Sequence, residues 1–282
     1  MQLEMLSVEC PHCKKWYSHS ELLSYSTFGS SECWSDGKCV NNNLSEYSFM
    51  PFSKCEKCNN FFWFDDCRKI ADYEISSYLN SNDVEPENLI LIVDFLKDNP
   101  EFKIKGNLDV SLDYPHVYYW ENMPKYIIPD YISILEKSNN LNRDREIYIR
   151  TKLSQHINDF VRNSQNSLKL HIKYSRSIKS FFNFKHLKSH IKFSFNNKKL
   201  YKEYEQLRTI NLMRLSELYQ ETIDYEDSKM SLIEIERELG NFEKAKFIIN
   251  GLDRIDKQHN KNFVESSLKY VLKNSAKIFK IR

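Results

Sequence analysis

Residues 50–64 read "MPFSKCEKCNNFFWF", in which a Cys-x-x-Cys pair is followed, after two asparagines, by four bulky aromatic residues. A second pair of the same spacing lies near the amino terminus, in "CPHC" at residues 10–13. Each pair can form a tight turn that presents two thiolates, and two such turns supply the tetrahedral four-sulfur shell that Zn²⁺ prefers. The sequence therefore predicts a structural Zn²⁺ site with four ligands, Cys10, Cys13, Cys55 and Cys58.

The residues that follow each pair bear on whether such turns can form. Asn59 and Asn60 follow the second pair, and asparagine tolerates the left-handed backbone that these turns need. Lys14 fills the same place after the first pair less readily. Cys13 and Cys55 are separated by 41 residues, more than the ~15–20 that usually separate such pairs. We interpret the excess as an insertion between the two hairpins of a zinc ribbon.

The main alternative to a metal site is a redox function of the first pair, because Cys-Pro-His-Cys suits a thiol of low pKa. Redox pairs of this kind lie at the start of a helix that follows a strand in a βαβ unit. The residues after Cys13, "KKWYSHSELL", have at best a weak helical pattern, and no βαβ pattern follows. A redox function would also leave Cys55 and Cys58 without a role, so we favour the metal site.

Three further cysteines complete the set of seven, all of which lie between positions 10 and 67. Cys33 and Cys39 flank "WSDGK", where Asp36-Gly37 is a strong signal for a hairpin with a two-residue loop. That register places the two cysteines on opposite faces, whereas a three-residue loop at 35–37 would place them face to face. We favour buried, separate thiols over a second metal site, and we interpret Cys67 as a core thiol.

The chain is expected to be an α+β protein that is mostly α. Only 5 Gly and 7 Pro among 282 residues leave little turn material for a large sheet, and helical periodicity dominates after residue 66. The expected organisation has four parts: a small β-rich zinc-ribbon module with an inserted hairpin at 1–66, a helical region at 67–163, a basic aromatic loop or insertion at 164–199, and helical hairpins at 200–282.

The amino terminus "MQLEMLSVEC" lacks the basic and then apolar pattern of a secretory signal. The longest apolar run, "NLILIVDFL", is interrupted by Asp94 and falls short of the ~18–20 residues that span a bilayer. We therefore expect a cytoplasmic protein with no membrane partner, in which cysteine pairs hold metal more often than they form disulfides.

Several stretches, taken in order, resemble a family of uncharacterised bacterial proteins that join a zinc ribbon to a tetratricopeptide-like helical region. The resemblance is carried by "CPHC", "YSTFGSSECWSDGK", "MPFSKCEKCNNFFW", "EIYIR", "LRTINLMRLSEL" and "IERELGNFEKAKFII". It implies the same four metal ligands and a helical carboxy-terminal half, but no activity. In the last stretch, Gly240-Asn241 occupies the turn between two helices, and Ala245 is the small residue that lets them approach closely.

The charge of the chain is unevenly distributed. Residues 160–202 contain eleven Lys and Arg and no acidic residue, so the rest of a chain with a total of +2 carries −9. Interleaved aromatic residues make this segment a candidate for binding single-stranded nucleic acid or RNA. The same composition suits a solvated basic surface. The candidate nucleic-acid-binding residues are Lys173, Arg176, Lys179, Phe181, Phe182, Lys185, Lys188 and Lys192.

Motifs for catalysis are absent from the sequence. It contains no phosphate-binding glycine loop, no nucleophile elbow and no kinase signature. His186 and His190 have a metal-capable spacing, but the glutamate of a metallopeptidase is missing. We therefore lean against an enzyme and expect a zinc-binding adaptor whose partner is another protein. Nucleic acid is the alternative partner, and the sequence leaves the oligomeric state open.

Overall fold

The structure, a computed structural model, describes residues 2–24, 31–41, 50–81, 86–98, 127–137, 141–177, 184–222 and 226–279. Its backbone contacts divide the chain into two compact units. Unit 1 comprises Met1–Ser31 and Val40–Lys125, and unit 2 comprises Glu32–Cys39 and Tyr126–Arg282. This division differs from the boundary drawn at residue 66 from the sequence: residues 67–98 lie in unit 1, and the hairpin segment 32–39 lies in unit 2.

Unit 1 contains small antiparallel sheets followed by two helices. The elements are β1 (Gln2–Glu9), β2 (Trp16–Ser24), β5 (Phe52–Lys54), β6 (Phe61–Trp63), a 3₁₀ turn (Phe64–Asp66), β7 (Lys69–Ala71), α1 (Asp72–Ser81) and α2 (Pro86–Asp98). Strands β2, β1 and β7 form a three-stranded sheet in that order, and β5 pairs with β6. Helix α2 begins at Pro86, as expected for a proline in the first helical position.

The second half of the central strand β1, residues 6–9, is buried on both faces. Leu6 and Val8 pack on one face, as the alternation of a strand requires. Glu9 is only 3% exposed, and Arg68 pairs with both of its carboxylate oxygens, at 2.5 and 2.6 Å. This ion pair ties the end of β1 to the chain that enters β7. Trp16, at the start of β2, packs edge-on against Phe95 of α2, which joins the sheet to the helices.

Unit 2 is a helical body. Its helices are α3 (Ile128–Lys137), α4 (Arg143–Ser177), α5 (Phe184–Gln220), α6 (Glu226–Glu238), α7 (Phe242–Gly251), α8 (Arg254–His259) and α9 (Lys261–Leu272). Three residues four apart on α4, Ile149, Leu153 and Ile157, are almost completely buried, so one face of α4 forms core. A second cluster joins α6, α7 and α9 through Leu232, Ile249 and Val264.

The turn between α6 and α7 has the features that the sequence predicts. Gly240 has a φ of +82°, which glycine adopts without the steric cost of a Cβ. The Gly240 N–H donates to the Arg237 carbonyl and the Asn241 N–H to the Glu236 carbonyl, the hydrogen-bond pattern of a Schellman cap. Ala245 is completely buried. The predicted αα-hairpin with a small residue at its contact is therefore confirmed.

Residues 32–39, which form most of a hairpin in the amino-terminal part of the chain, belong to this helical unit. Strands β3 (Ser31–Cys33) and β4 (Cys39–Asn41) pair with each other, and Trp34 N–H donates to the Lys38 carbonyl at 2.8 Å. The loop therefore has three residues, 35–37, and Gly37 has a φ of +76°. The two-residue loop favoured from the sequence is wrong, and the alternative register is the correct one.

The segment expected to be a loop or insertion is helical wherever the structure describes it. Helix α4 continues through residue 177, and α5 begins at Phe184, so residues 164–177 and 184–199 have helical backbone. The expectation of a loop is wrong for these residues. The irregular stretch expected at 101–123 lies outside the described residues. Among the helices that the structure describes, none is long and apolar enough to cross a membrane.

Candidate metal centre

The first cysteine pair lies in the turn between β1 and β2. Lys14 N–H donates to the Cys10 carbonyl at 3.0 Å, and Cys10 N–H donates to the Lys15 carbonyl at 2.8 Å. These two bonds close a tight loop around Cys13. Lys14 has a φ of +63°, so a lysine adopts the left-handed conformation that an asparagine would adopt more readily.

The second pair, between β5 and β6, has the same geometry. Asn59 N–H donates to the Cys55 carbonyl at 2.8 Å, Cys55 N–H donates to the Asn60 carbonyl at 2.9 Å, and Asn59 has a φ of +56°. The Cys58 N–H also points at the Cys55 sulfur, at 3.3 Å. The left-handed position predicted after this pair is therefore present. The two turns are near-equivalent loops that direct thiols toward a common point.

The four thiols converge. All four sulfurs lie within 4.8 Å of one another, with Cys10 and Cys58 sulfurs 3.9 Å apart and Cys13 and Cys55 sulfurs 3.5 Å apart. A tetrahedral site with metal–sulfur bonds of about 2.3 Å has sulfur–sulfur edges of about 3.8 Å. The Cys10–Cys58 and Cys13–Cys55 separations lie close to that edge, and the other four are at most 4.8 Å. The four predicted ligands are thus brought together in a cluster that could hold a metal ion.

The cluster is half enclosed by the strands that carry it. Cys10 and Cys55 are completely buried and pack with Phe62, whereas Cys13 and Cys58 are partly exposed. The His12 side chain reaches the Phe61 carbonyl at 3.2 Å, which links the two turns directly. The aromatic residues after the second pair therefore have a local role: Phe62 covers the thiols, and Phe61 and Trp63 pack against the buried Phe52.

Tyr17 is a residue of this site that the sequence reasoning missed. Its hydroxyl lies 3.0 Å from the Cys55 sulfur, and its ring stacks on Phe62. The feature of the sequence that could have indicated this role is the position of Tyr17, seven residues after Cys10 and at the start of the strand that follows the first turn. Because metal ligands are usually oriented by hydrogen bonds from neighbouring groups, Tyr17 is suited to fix the Cys55 thiolate in place.

Two of the thiols differ in acidity. Burial disfavours the Cys55 thiolate, but hydrogen bonds from the Tyr17 hydroxyl and the Cys58 N–H outweigh this effect and lower the pKa of Cys55 to about 6. Burial dominates at Cys10 and raises its pKa to about 12. Cys55 is therefore the thiol best prepared to bind a cation as the thiolate, while Cys10 needs the charge of the cation to lose its proton.

The remaining cysteines lie outside the cluster. Cys33 and Cys39 form a disulfide across the β3–β4 hairpin, which the three-residue loop makes possible by placing them face to face. The expectation of two separate buried thiols is wrong. Cys67 is a free thiol that donates to the Trp63 carbonyl at 3.2 Å, and burial raises its pKa to about 11. Cys67 therefore matches its expected role as a packed thiol.

The candidate nucleic-acid-binding side chains lie outside the part of the structure that is described at side-chain level. Lys173 and Arg176 have helical backbone in α4, and Lys185, Lys188 and Lys192 have helical backbone in α5. Lys179, Phe181 and Phe182 fall in a segment that is not described. Their binding role stays a prediction.

Comparison of the chain with protein-family models, with curated proteins and with solved structures finds no match to any of them. Fold and site together define the chain as a mostly helical α+β protein with an amino-terminal cluster of four cysteines that could hold a metal ion. The resemblance to a zinc-ribbon family is supported by that cluster, and the helical carboxy-terminal half that it implies is present. Membership of such a family and a tetratricopeptide-like character of the helices stay predictions.

Proposed function

We propose that this chain is a zinc-binding protein-interaction module without catalytic activity of its own. The observation that carries the proposal is the convergence of four thiols within 4.8 Å from two matching turns. Among first-row metals, Zn²⁺ is the ion that four thiolates in a tetrahedral arrangement most commonly hold in a structural role.

The chemistry of the donor set supports a structural ion over a catalytic one. Four protein ligands fill a tetrahedral shell, and a catalytic Zn²⁺ keeps a position open for water or substrate. Within the described residues, no other group of three or more cysteine, histidine or carboxylate side chains could hold a metal ion. The ion would instead tie the β1–β2 turn to the β5–β6 turn, because β5 and β6 have only three residues each and form a sheet of their own.

The zinc part of the proposal is tested by metal analysis of protein purified without chelator. We expect one zinc per chain in the parent protein and in Cys67→Ser, and loss of zinc in Cys55→Ser. Cys55 and Cys67 both pack around Phe62, so each variant removes a thiol from the same part of the core. Only Cys55 is one of the four converging thiols. Parent protein that contains no zinc, or a Cys67→Ser variant that loses it equally, would contradict the proposal.

A protein partner is favoured by apolar side chains exposed on the helical body. Ile210 and Met213 lie three residues apart on α5, on neighbouring positions of one helix face, and are 65% and 55% exposed. Affinity capture of the full chain should recover a protein partner that survives nuclease treatment. The double substitution Ile210→Ser with Met213→Ser should reduce that recovery, and Lys202→Ser, at an exposed position of the same helix, should not.

Nucleic-acid binding is the second candidate, and the eleven cations without an acidic residue between 160 and 202 favour it. It is tested by measuring affinity for single-stranded RNA and DNA against salt concentration. A steep salt dependence that disappears when the lysines and arginines of 169–199 are neutralised supports this candidate. Binding that is absent or independent of salt excludes it.

A further inference from the structure

The Cys33–Cys39 disulfide closes a ring around residues 34–38, which form the hairpin tip. The two cysteines are six positions apart and flank Trp34 and Lys38, which are joined by a backbone hydrogen bond of 2.8 Å. All seven cysteines lie in the described part of the chain, and the other five are free thiols. One chain therefore combines a disulfide with a cluster of reduced thiols.

The hairpin tip carries ionic contacts that hold the hairpin on helix α4. Asn158 donates to the Asp36 carboxylate at 2.9 Å, and Arg162 pairs with the same carboxylate at 3.4 Å. The Asp36 side chain is only 3% exposed, so its charge depends on these partners. The Lys38 ammonium group pairs with the carboxylate of Asp159. Both charged residues of the tip thus dock on one helix.

Two further residues of the tip complete the docking surface. Ser35 N–H donates to the Phe279 carbonyl at 2.9 Å, and Ser35 Oγ accepts from the Phe279 N–H at 3.3 Å. The Arg162 guanidinium lies over the Trp34 ring at 4.7 Å. Groups from four residues of the tip must therefore be in place at the same time. Because a closed ring has fewer conformations than an open one, the disulfide prepares the tip for docking.

The disulfide can be reached by a thiol from solvent. Cys39 is exposed and Cys33 is half-buried, and exposed disulfides are the ones that exchange most readily with thiols. Strands β3 and β4 have only three residues each, and a hairpin of two strands gains little stability from its own pairing. Opening the ring should therefore weaken the docking of the tip.

We propose that the Cys33–Cys39 disulfide is a reversible redox site whose partner is a dithiol, and that its reduction releases the hairpin tip from the helices. The site belongs to unit 2, whereas the four converging thiols belong to unit 1. It does not depend on a bound metal.

The reaction is a thiol–disulfide exchange in two steps. A thiolate of the dithiol attacks the exposed Cys39 sulfur, the bond between the two cysteine sulfurs breaks, and Cys33 leaves as a thiolate that takes up a proton. The second thiol of the partner then displaces Cys39 from the mixed disulfide. The chain gains two electrons and two protons, and the partner becomes a disulfide. Exchange with an oxidised partner reverses both steps.

The redox equilibrium is measured on the full chain in buffers with graded ratios of reduced and oxidised dithiothreitol. Free thiols are then blocked with N-ethylmaleimide, and mass spectrometry counts the blocked thiols in the peptide that contains Cys33 and Cys39. We expect a reversible change from no blocked thiol to two. Circular dichroism should show that the helical unit stays folded at every ratio.

Hydrogen exchange measured by mass spectrometry shows whether reduction releases the tip. Ser35 N–H is bonded to the Phe279 carbonyl, and the Trp34 and Gly37 N–H groups are bonded within the hairpin. Opening a ring of seven residues should speed the exchange of these amides about ten- to fiftyfold. A peptide covering Ile149–Ile157 of α4 is the internal control and should keep its protection.

A variant separates loss of the disulfide from other effects of the reductant. Cys33→Ser combined with Cys39→Ser should show the fast exchange of the reduced parent protein without dithiothreitol, and no further change when it is added. Cys67→Ser keeps the disulfide and should respond as the parent protein does. If the double variant fails to fold, the two measurements on the parent protein still decide the question.

The proposal is overturned by any of three results. The pair stays a disulfide in the folded protein at every ratio of dithiothreitol, which would make it a structural cross-link. The reduced pair fails to form the same disulfide again on oxidation. Reduction is complete, but the amides of the hairpin exchange as slowly as in the oxidised protein, which would mean that the ring does not hold the tip in place.

Discussion

Arg237 shows how one buried side chain can organise the helical unit. It is completely buried, and it donates to the Glu234 carboxylate at 2.9 and 2.6 Å and to the Ser275 and Lys277 carbonyls at 2.6 and 2.8 Å. The planar guanidinium also lies over the Phe279 ring at 5.1 Å. It thereby fixes the extended segment after α9 against α6, a role that needs the five donors of arginine.

Replacing Arg237 with methionine should lower the free energy of unfolding by about 3–5 kcal/mol, because the buried Glu234 carboxylate is left without its cation. Urea unfolding followed by circular dichroism measures the change. The control is Arg214→Met, since Arg214 is 41% exposed and its partner Glu146 keeps a second cation, Arg150. That variant should lose about 1 kcal/mol or less. Equal losses in the two variants would show that the buried Arg237–Glu234 pair contributes no more to the free energy of unfolding than the more exposed pair of Arg214.

Two neighbouring glutamates of α6 should respond to pH in opposite ways. Burial raises the pKa of Glu238 from 4.5 to about 7, with Glu234 and Asp36 adding to the effect and Arg208 opposing it. Burial also acts on Glu236, but hydrogen bonds from Lys244, Ser216 and Asn241 outweigh it and lower its pKa.

The raised pKa of Glu238 makes the folded state hold its proton more tightly than the unfolded state. Its contribution to stability is present below pH 4.5 and is lost as the pH rises through 7, a change on the order of 3 kcal/mol. Glu238→Gln cannot titrate, so it should gain about that much stability relative to the parent protein between pH 5 and pH 8. Urea unfolding at the two pH values tests this.

Glu236→Gln is the matched control for Glu238→Gln. The lowered pKa of Glu236 gives a contribution that is present above pH 4.5 and is lost only as the pH falls through its folded pKa. The variant should therefore be less stable than the parent protein by a constant amount from pH 5 to pH 8. If both variants change in parallel over this range, the environments assigned to Glu236 and Glu238 are wrong.

At the scale of elements, the β3–β4 hairpin depends on the left-handed conformation at Gly37. In a three-residue loop, the third residue adopts positive φ, and Gly37 does so at +76°. The nearest atom to an added Cβ would be Nε2 of Gln155 at 3.8 Å, an ordinary contact. A substitution at this position is therefore opposed by the backbone and not by crowding.

Gly37→Ala should lower the free energy of unfolding by about 1 kcal/mol or more, because alanine rarely adopts this φ. Thermal melting of the full chain measures the effect. Gly251→Ala is the control, since Gly251 ends helix α7 with an ordinary φ and nothing lies within 4 Å of an added Cβ. That substitution should be neutral or slightly stabilising. A Gly37→Ala variant as stable as Gly251→Ala would contradict the loop geometry described here.

Local signals in the sequence were sufficient to predict the two cysteine turns and the α6–α7 turn. In both cases the deciding groups lie within a few residues of each other: Asn59 beside Cys58, and Gly240 beside Asn241. The register of the β3–β4 hairpin is different, because Asp36-Gly37 in "WSDGK" locally favours a two-residue loop, whereas the structure has a three-residue loop. Contacts of Asp36 with Gln155 and Asn158, more than 100 residues away, accompany the three-residue loop and cannot be seen in a local pattern.

The helical backbone of 164–177 and 184–199 was missed for a related reason. Hydrophobic periodicity reports that one face of a helix is buried, and a helix without an apolar face lacks that signal. Lysine has good intrinsic helix propensity, so a lysine-rich segment can be helical without an apolar stripe. The prediction from the sequence therefore described the basic, aromatic composition of this segment correctly but gave its backbone the wrong conformation.

At the scale of the whole molecule, the chain enters the helical unit twice. Residues 32–39 lie between the two cysteine pairs in sequence but belong to unit 2. Within that unit, Ser35 N–H donates to the Phe279 carbonyl at 2.9 Å, and Ser35 Oγ accepts from the Phe279 N–H at 3.3 Å. Segments 244 residues apart are thus paired, so the helical unit can be complete only after Phe279 has been synthesised.

Removal of the proposed zinc should unfold the strands of unit 1 and leave most of the helical signal. Structural Zn²⁺ contributes about 10–16 kcal/mol of apparent binding free energy in small finger peptides, and the strands β5 and β6 have only three residues each. Hydrogen exchange measured by mass spectrometry, with and without a strong chelator, resolves the two units. Peptides from β1 and β6 should lose protection, while peptides covering Ile149–Ile157 of α4 should keep it.

Cys67→Ser serves again as the control, because this variant keeps all four converging thiols. Its hydrogen exchange should match that of the parent protein with and without chelator. The hairpin peptide that contains Ser35 and Asp36 is the informative one. It is covalently joined to unit 1 at both ends, yet its hydrogen bonds are to Gln155, Asn158 and Phe279 of unit 2. We expect it to stay protected after chelation. Its exposure together with β1 would mean that the metal site stabilises the docked hairpin as well, and that the units do not unfold separately.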